Sequence, residues 1–193
     1  MSTIPGPARL VLKARDVAQI LLTGLPERWR HTIGVARRAE QIGATVGPAE
    51  SEVLEAAAWL HDIGYAPELL DSGFHPLDGA RHLRSTGWSD RIAGLVGHHS
   101  GAFCVAEVRG LAEELGRFPR ETSVVSDVLT YADQTVGPNG RTMSFDQRLA
   151  DMLDRHGPDS PNAEAHTRRA PLLRAAVDRV ERRLAVIRSR PAA

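Results

Sequence analysis

The stretch "VLEAAAWLHDIGY", residues 53–65, carries the strongest indication of the fold. Leu54, Ala57 and His61 recur at intervals of three and four residues, which places their side chains on one face of an α-helix. His61 is therefore predicted to point into a protein core, and Asp62 follows it directly. An ionised aspartate in an apolar interior is costly unless a cation or hydrogen-bond donors compensate its charge. The stretch thus predicts a buried helix that ends at a polar site.

Helical periodicity extends over most of the chain, and alternating strand patterns are hard to find. Turn-rich segments, such as "TVGPNGRT" (135–142) and "RHGPDSPN" (155–162), separate the helical stretches. We predict an all-α fold, a compact single-domain helical bundle over residues 1–188, followed by a frayed tail at 189–193. The predicted helices are 7–22, 26–45, 49–62, 75–86, 89–99, 108–115, 123–136, 144–155 and 163–188.

The composition is that of an ordinary globular protein and disfavours several classes of function. The 24 basic residues balance 24 acidic ones, which argues against a protein that holds a nucleic-acid polymer by electrostatics. Cys104 is the only cysteine, so neither an intrachain disulfide nor a thiolate metal cluster can form. No secretion signal and no membrane-spanning apolar run is recognisable, so we expect a soluble cytoplasmic protein. Lys13 is the only lysine, and arginine, which suits phosphate or carboxylate, supplies the remaining positive charge.

Several other segments also direct a histidine or an aspartate toward the predicted interior. His31 begins an apolar stripe, His99 ends one, and His98 lies at the edge of the same stripe. His75 stands at a helix start, and Asp133 comes off the end of an apolar face. Each of these residues, taken alone, is more often a hydrogen-bonded core or cap residue than a ligand. Gathered in one interior without a cation, however, they would leave unpaired polar groups costing several kcal/mol, so together they favour a metal site.

The histidine and aspartate order H…HD…H…HH…D resembles that of the HD-domain metal-dependent phosphohydrolases with an HDIG-type motif. The motif here is His61-Asp62-Ile63-Gly64, and the resemblance covers residues 28–136, the predicted core. The other matching segments are "RWRHTIGVARRA", "FHPLDGARHL", "GLVGHHSGA" and "VLTYADQT".

The resemblance implies a metal site, and here it favours two divalent ions. The residues that match the mononuclear ligand set of the family are His31, His61, Asp62 and Asp133. In members with two metals, extra histidines join this set; the matching residues are His75 and His98, with Asp62 as the bridging ligand. His99 is left with three possible roles: metal ligand, hydrogen-bond partner of the substrate, or orienting group for His98. Imidazole and carboxylate ligands without thiolate suit Fe, Mn, Zn, Co or Ni.

The implied activity is hydrolysis of a phosphomonoester or nucleotide-like small molecule by a metal-activated hydroxide, with Asp62 and His99 as the expected catalytic residues. Arg141 and Arg148 follow Asp133 and are candidates to bind the substrate phosphate, although in an arginine-rich chain each, taken alone, is more often a solvated residue. Two departures from the family pattern bear on the substrate. Tyr65 stands where several subgroups have lysine, and "SGAFCVAE" replaces the "GYP" signature of cyclic-dinucleotide phosphodiesterases, which disfavours cyclic di-GMP.

Two other functions remain open on the sequence. Diiron oxygenases with the same fold cleave C–C or C–P bonds with O2 and share the same ligand order, and a non-catalytic HD domain could bind a nucleotide or a partner. The remaining histidines, His82, His156 and His166, are predicted to lie on the surface. The last predicted helix carries an apolar stripe that either completes the core, as we favour, or forms a homodimer.

Overall fold

Most helices begin where the sequence supplies a proline or a capping serine. Pro26 and Pro48 occupy the first turns of two helices, where a missing backbone N–H costs nothing. Ser123 and Ser144 each form a capping box at the start of a helix, with the side chain three residues later bonding back. These local signals explain why the sequence predicts most helix starts to within two residues.

A computed structural model describes residues 6–189, and within them the regular structure is helical apart from one isolated bridge between Val136 and Thr142. Short 3-10 turns follow α2, α3 and α5, and a further one precedes α4. The α-helices of the described range are α1 (Gly6–Leu22), α2 (Pro26–Ile42), α3 (Pro48–Leu60), α4 (His75–Ser85), α5 (Asp90–His98), α6 (Ala102–Val108), α7 (Ala112–Leu115), α8 (Val124–Gln134), α9 (Phe145–His156), α10 (Pro161–Glu164) and α11 (His166–Arg188).

Helix α3 lies at the centre of the bundle, because it packs against α1, α2, α5 and α8. Its alanines, Ala56, Ala57 and Ala58, are fully buried, and their small side chains let neighbouring helices approach from several sides. One apolar cluster packs α1, α4 and α5 around Leu60, and a second packs α2, α8 and α11 around Leu54. The end of α3 therefore lies where the two clusters meet.

The all-α prediction is confirmed, with two local differences. The helix predicted at 108–115 is reduced to the short α7, and α6 at Ala102–Val108, which was not predicted, precedes it; Gly110 in a left-handed conformation (φ +70°) separates the two. The helix predicted at 163–188 is divided into α10 and α11. The predicted tail at 189–193 lies outside the described residues except for Ser189.

The last helix, α11, contributes part of its apolar stripe to the core. Leu173, Val177 and Val180 are buried against α8, whereas Leu172 and Val186 are exposed. None of the described helices has both the length and the apolar character needed to cross a membrane.

Candidate metal centre

The HDIG motif places its histidine and aspartate at the buried end of α3. His61 and Asp62 follow the last turn of the helix, and both side chains are buried. Gly64 lies so close to the start of α4 that an added Cβ would approach the His75 carbonyl oxygen to 2.0 Å. The glycine therefore allows the motif to contact α4, and the His75 Nε2 atom comes to 3.3 Å from Asp62 Oδ1.

A first group of potential metal ligands consists of His31, His61 and Asp133, all buried. The Nε2 atom of His31 lies 3.0 Å from Asp133 Oδ1, and that of His61 lies 4.0 Å from the same oxygen. The three side chains come from α2, the end of α3 and α8. Three helices far apart in the sequence thus converge on one point.

A second group consists of Asp62, His75 and His99. The Nε2 atoms of the two histidines are 3.4 Å apart, and that of His99 lies 4.0 Å from Asp62 Oδ1. The other oxygen of Asp62, Oδ2, faces the first group, at 3.3 Å from His61 Nε2 and 3.7 Å from His31 Nε2. Asp62 therefore lies between the two groups with one oxygen directed at each.

Backbone carbonyls orient three of the imidazole rings. The Nδ1 atoms of His31, His61 and His99 lie within hydrogen-bond distance of the carbonyl oxygens of Gly137 (3.1 Å), Ala58 (2.8 Å) and Val96 (2.6 Å). A neutral ring that donates from Nδ1 presents a lone pair at Nε2, which is the form that binds metals. The three Nε2 lone pairs are thereby directed at the two groups.

One buried atom of the centre has no hydrogen-bond partner. The Nε2 atom of His61 is sealed from solvent and unpaired among the described residues. Buried polar atoms are otherwise almost always paired, and this one faces the carboxylates of Asp62 and Asp133. A cation at this point would satisfy the lone pair and both carboxylates, so the residues present fit a divalent metal ion.

Both carboxylates are held ionised. Burial would raise the pKa of Asp62, but the Arg28 guanidinium and His61 outweigh it and hold the pKa well below its usual range. Burial likewise opposes ionisation of Asp133, whose pKa is nevertheless held well below its usual range by His31 and His61. Both carboxylates are therefore anionic at neutral pH, which is the form that binds a cation.

The imidazoles differ in their tendency to bind a proton. Burial lowers the pKa of His75 well below its usual value despite the nearby Asp62, and burial together with His61 lowers the pKa of His99. For His61, burial also disfavours the charged form, but the charge of Asp62 outweighs it and raises the pKa. His75 and His99 thus remain neutral and competent to bind a cation at neutral pH.

An arginine not predicted from the sequence approaches the centre from α2. Arg28 Nη1 donates to Asp62 Oδ2 at 2.7 Å, and its guanidinium lies 3.9 Å from the centroid of the Tyr65 ring. Tyr65 in turn stacks on His75, with centroids 3.9 Å apart and planes 17° apart. Arg28, Tyr65 and His75 therefore form three layers beside Asp62. A signal existed in the sequence, because Arg28 lies three residues before His31 on the same helical face.

Two further unpredicted residues hold Asp133 from its other side. Ser100 Oγ donates to Asp133 Oδ2 at 2.5 Å, and Gln134 Nε2 donates to the same oxygen at 2.8 Å. Asp133 therefore keeps Oδ1 directed at His31 and His61. Such bonds around a ligating carboxylate fix its orientation.

A cavity of about 290 Å³ opens onto both groups. Asp62, His75, His99 and Asp133 form part of its wall, and the arginines that line it are Arg28, Arg109, Arg148 and Arg169. Four guanidinium groups against two carboxylates make the cavity suitable for an anion.

The structure gives the adjacent histidines His98 and His99 roles that differ from the predicted ones. His98, predicted as a ligand, directs Nε2 at the Phe118 carbonyl oxygen, 3.0 Å away, and lies outside both groups. The physical reason is the end of α5, where His98 (φ −108°, ψ 5°) and His99 (φ −56°, ψ 149°) leave the helical conformation. His99 is consequently the residue that joins Asp62 and His75, and it replaces His98 among the ligand candidates.

The two arginines predicted to bind phosphate also differ. Arg148 is buried in the cavity wall, with Nη2 3.8 Å from Asp133 Oδ1. Arg141 is exposed and does not line the cavity. Among the predicted surface histidines, His82 and His166 are half-buried, and His156 is exposed at the rim of the cavity.

Comparison with known proteins gives one match. The family model described as HD domain matches residues 28–136, more than half of the chain, and this range contains all six ligand candidates. No curated protein and no solved structure matches the chain.

Proposed function

Because the chain belongs to the HD domain family, we propose that it is a metal-dependent phosphohydrolase acting on a phosphomonoester or nucleotide-like small molecule. One observation carries the proposal: an arginine-lined cavity opens onto two groups of potential metal ligands. Family membership alone indicates a metal-dependent hydrolase superfamily, whereas the arginines favour a phosphorylated substrate.

The proposed centre takes two divalent ions. His31, His61 and Asp133 would hold the first, His75 and His99 the second, and Asp62 would contribute one oxygen to each. When bound, such ions polarise a phosphoryl group and supply a hydroxide nucleophile at neutral pH. In this arrangement His99 is a ligand candidate, so we do not retain it as a proton donor.

Arg148 is suited to bind the phosphoryl group of the substrate. Its Nε atom is buried without a hydrogen-bond partner among the described residues, and Nη1 donates to Asp151 at 3.3 Å. Its Nη2 atom is too far from Asp133 for a hydrogen bond, which leaves donors available to an anion. The pair with Asp151 orients the guanidinium in the cavity wall.

Arg28 has a different part in the proposed site. Its bond to Asp62 keeps that carboxylate ionised and fixes its plane, and its stacking on Tyr65 holds the guanidinium in place. Arg28 thus positions Asp62, and through Tyr65 it also restrains His75.

The proposal is tested by activity and metal content together. Metal-free protein is reloaded with Mn, Co, Zn or Fe and assayed against phosphomonoesters and nucleotides, with and without O2. We expect phosphate release that requires metal but not O2, and Asp62→Asn should lower its rate by at least about 100-fold.

His82→Gln serves as the control, because His82 lies in neither ligand group. Turnover that requires both ferrous iron and O2 would identify an HD-domain oxygenase instead. Full activity of Asp62→Asn would contradict any mechanism based on this centre.

A further inference from the structure

Arg169, on α11, is a cation in the cavity wall that has no carboxylate partner in the described part of the chain. Its Nε atom donates to the Ser100 carbonyl oxygen at 2.7 Å, and Nη1 donates to Asn162 Oδ1 at 3.1 Å. Both acceptors are neutral, and Nη2 makes no hydrogen bond within residues 6–189. Burial lowers the pKa of Arg169. A charged group held in this way is stabilised by an anion in the cavity.

Arg109 lines the same cavity and also donates to neutral acceptors, although its side chain is exposed at the cavity edge. Its Nη1 and Nη2 atoms donate to the carbonyl oxygens of Gly73 (2.8 Å) and Ser72 (3.1 Å), and its guanidinium lies 5.2 Å from the Phe74 ring centroid. No carboxylate of the described residues lies within 4 Å of it. Two carbonyl oxygens therefore orient its guanidinium, and no carboxylate of the described residues neutralises its charge.

Among the four arginines of the cavity wall, Arg109 and Arg169 are the two that lack a carboxylate partner in the described residues. Most arginines that make side-chain contacts on the outside of the bundle pair with an aspartate or glutamate; examples are Arg84, Arg91, Arg155, Arg168, Arg174 and Arg179. Inside the cavity, Arg28 and Arg148 also have carboxylate neighbours. Arg109 and Arg169 are thus the two cavity arginines whose charge is left for a ligand.

Arg169 lies next to the metal centre without belonging to it. Ser100 connects them, since its carbonyl oxygen accepts from Arg169 and its hydroxyl donates to Asp133. Arg169 also lies beyond residues 28–136, the range that the family model matches. Residues of α9, α10 and the start of α11 therefore form part of the cavity wall outside the matched range. One of them, Arg169, is a cation without a carboxylate partner in the described residues.

We propose that Arg169 and Arg109 form a second anion subsite, so that the substrate carries a small oxyanionic group in addition to the phosphoryl group that is cleaved. The inference rests on the proposed function, because it assigns the cleaved phosphoryl group to the metal centre and Arg148. The guanidinium fork binds phosphate or carboxylate, so either can be the second group. The cavity volume of about 290 Å³ and the link through Ser100 restrict the substrate to a small compound whose two anionic groups lie close together.

Three compounds that cannot be hydrolysed test the subsite by binding alone. Methylphosphonate has one anionic group, phosphonoacetate adds a carboxylate, and methylenediphosphonate adds a second phosphonate. Each is titrated calorimetrically into the Mn-loaded full chain, with equal free Mn²⁺ in both solutions. We expect at least one of the two longer compounds to bind about tenfold or more tightly than methylphosphonate, and the tighter of them identifies the second group.

Arg169→Gln should abolish this preference and leave methylphosphonate binding within about twofold of the unmodified protein. Arg168→Gln is the matched control, because Arg168 is the preceding residue, is exposed and pairs with Glu107. Arg109→Gln and Arg169→Lys provide independent variants if Arg169→Gln does not fold; the first should reduce the preference, and the second should retain part of it.

The inference is overturned if the unmodified protein binds all three compounds alike, or if the arginine variants weaken methylphosphonate as much as the longer compounds. It is also overturned if Arg168→Gln has the same effect as Arg169→Gln. A preserved preference in a protein that hydrolyses no phosphomonoester would reject the proposed function and leave the subsite standing.

Discussion

At the scale of single residues, the adjacent histidines at the end of α5 give a sharp test of the metal centre. His99 Nε2 faces Asp62 and His75, whereas His98 bonds to the Phe118 carbonyl oxygen. We expect His99→Gln to lower the metal content from about two ions per chain to about one, and His98→Gln to leave it unchanged. Elemental analysis of the purified variants measures this directly. Metal loss in His98→Gln with full occupancy in His99→Gln would reverse the assignment.

His98 and His99 also show a limit of prediction from the sequence. Helical periodicity placed both histidines on or beside one apolar stripe, and it could not show that the helix ends between them. The outcome depends on the non-helical backbone angles of His98 (φ −108°, ψ 5°) and His99 (φ −56°, ψ 149°), which no sequence periodicity indicates. By contrast, His31 and His61 lie within regular helical periodicity, and their inward direction followed from spacing alone.

Tyr65 provides a second residue-level prediction, because its ring lies between Arg28 and His75. Tyr65→Phe preserves the stack, and we expect normal metal affinity. Tyr65→Ala removes the layer that restrains His75, and we expect the affinity for the second ion to fall by about tenfold. Competition with a chelating dye measures both affinities. Equal affinities in Tyr65→Ala and the unmodified protein would show that the stack does not position His75.

At the scale of elements, Gly64 joins the HDIG turn to the first turn of α4. A methyl group at this position would meet backbone atoms of His75 and Gly79, which cannot yield as a flexible side chain could. Gly64→Ala should therefore displace α4, lower the free energy of unfolding by about 1–3 kcal/mol and reduce binding of the second ion. Urea unfolding and metal analysis measure the two effects.

Gly24→Ala is the control for this substitution, since Gly24 has no atom within 4 Å of an added Cβ and needs no positive φ. Equal stability of the two variants, with full metal content in both, would show that the contact between the HDIG turn and α4 is dispensable.

Elements were predictable where they are long and amphipathic, and not where they are short. The seven-residue helix α6 spans less than two full repeats of the helical period, so its sequence carries little signal, and it begins only because Gly101 adopts a left-handed conformation. Arg109 and Arg169 were missed for another reason. In a chain whose positive charge is almost all arginine, no local pattern separates those that line a cavity from those that face water.

At the scale of the whole molecule, the metal centre connects helices that belong to different apolar clusters. Its potential ligands come from α2, α4 and α8 and from the ends of α3 and α5. A bound ion should therefore stabilise the entire bundle, by about 2.7 kcal/mol at 100 times the dissociation constant. For a chain of this size we expect the unfolding midpoint to rise by roughly 5–10 °C. Calorimetry with metal and with chelator tests this, and Asp62→Asn should show little response.

The metal-free protein should lose stability as the pH falls from about 7.5 to about 5.5, because most of its perturbed histidines resist protonation only while folded. Burial is the main reason that the pKa values of His75, His98 and His99 are lowered. In the unfolded chain these groups bind protons near pH 6.5, so unfolding takes up protons and is favoured as the pH decreases.

His61 acts in the opposite direction, because its pKa is raised in the folded state. The stabilisation that it gives grows as the pH falls toward the ordinary histidine pKa and is complete below that value. One such group opposes three, and the carboxylates of Asp62 and Asp133, whose pKa values are lowered, remain ionised in both states throughout this range. Each net proton taken up on unfolding lowers the free energy of unfolding by about 1.4 kcal/mol per pH unit. Urea unfolding of chelator-treated protein at several pH values measures the slope; a stability that rises toward pH 5.5 would show that the His61 contribution dominates.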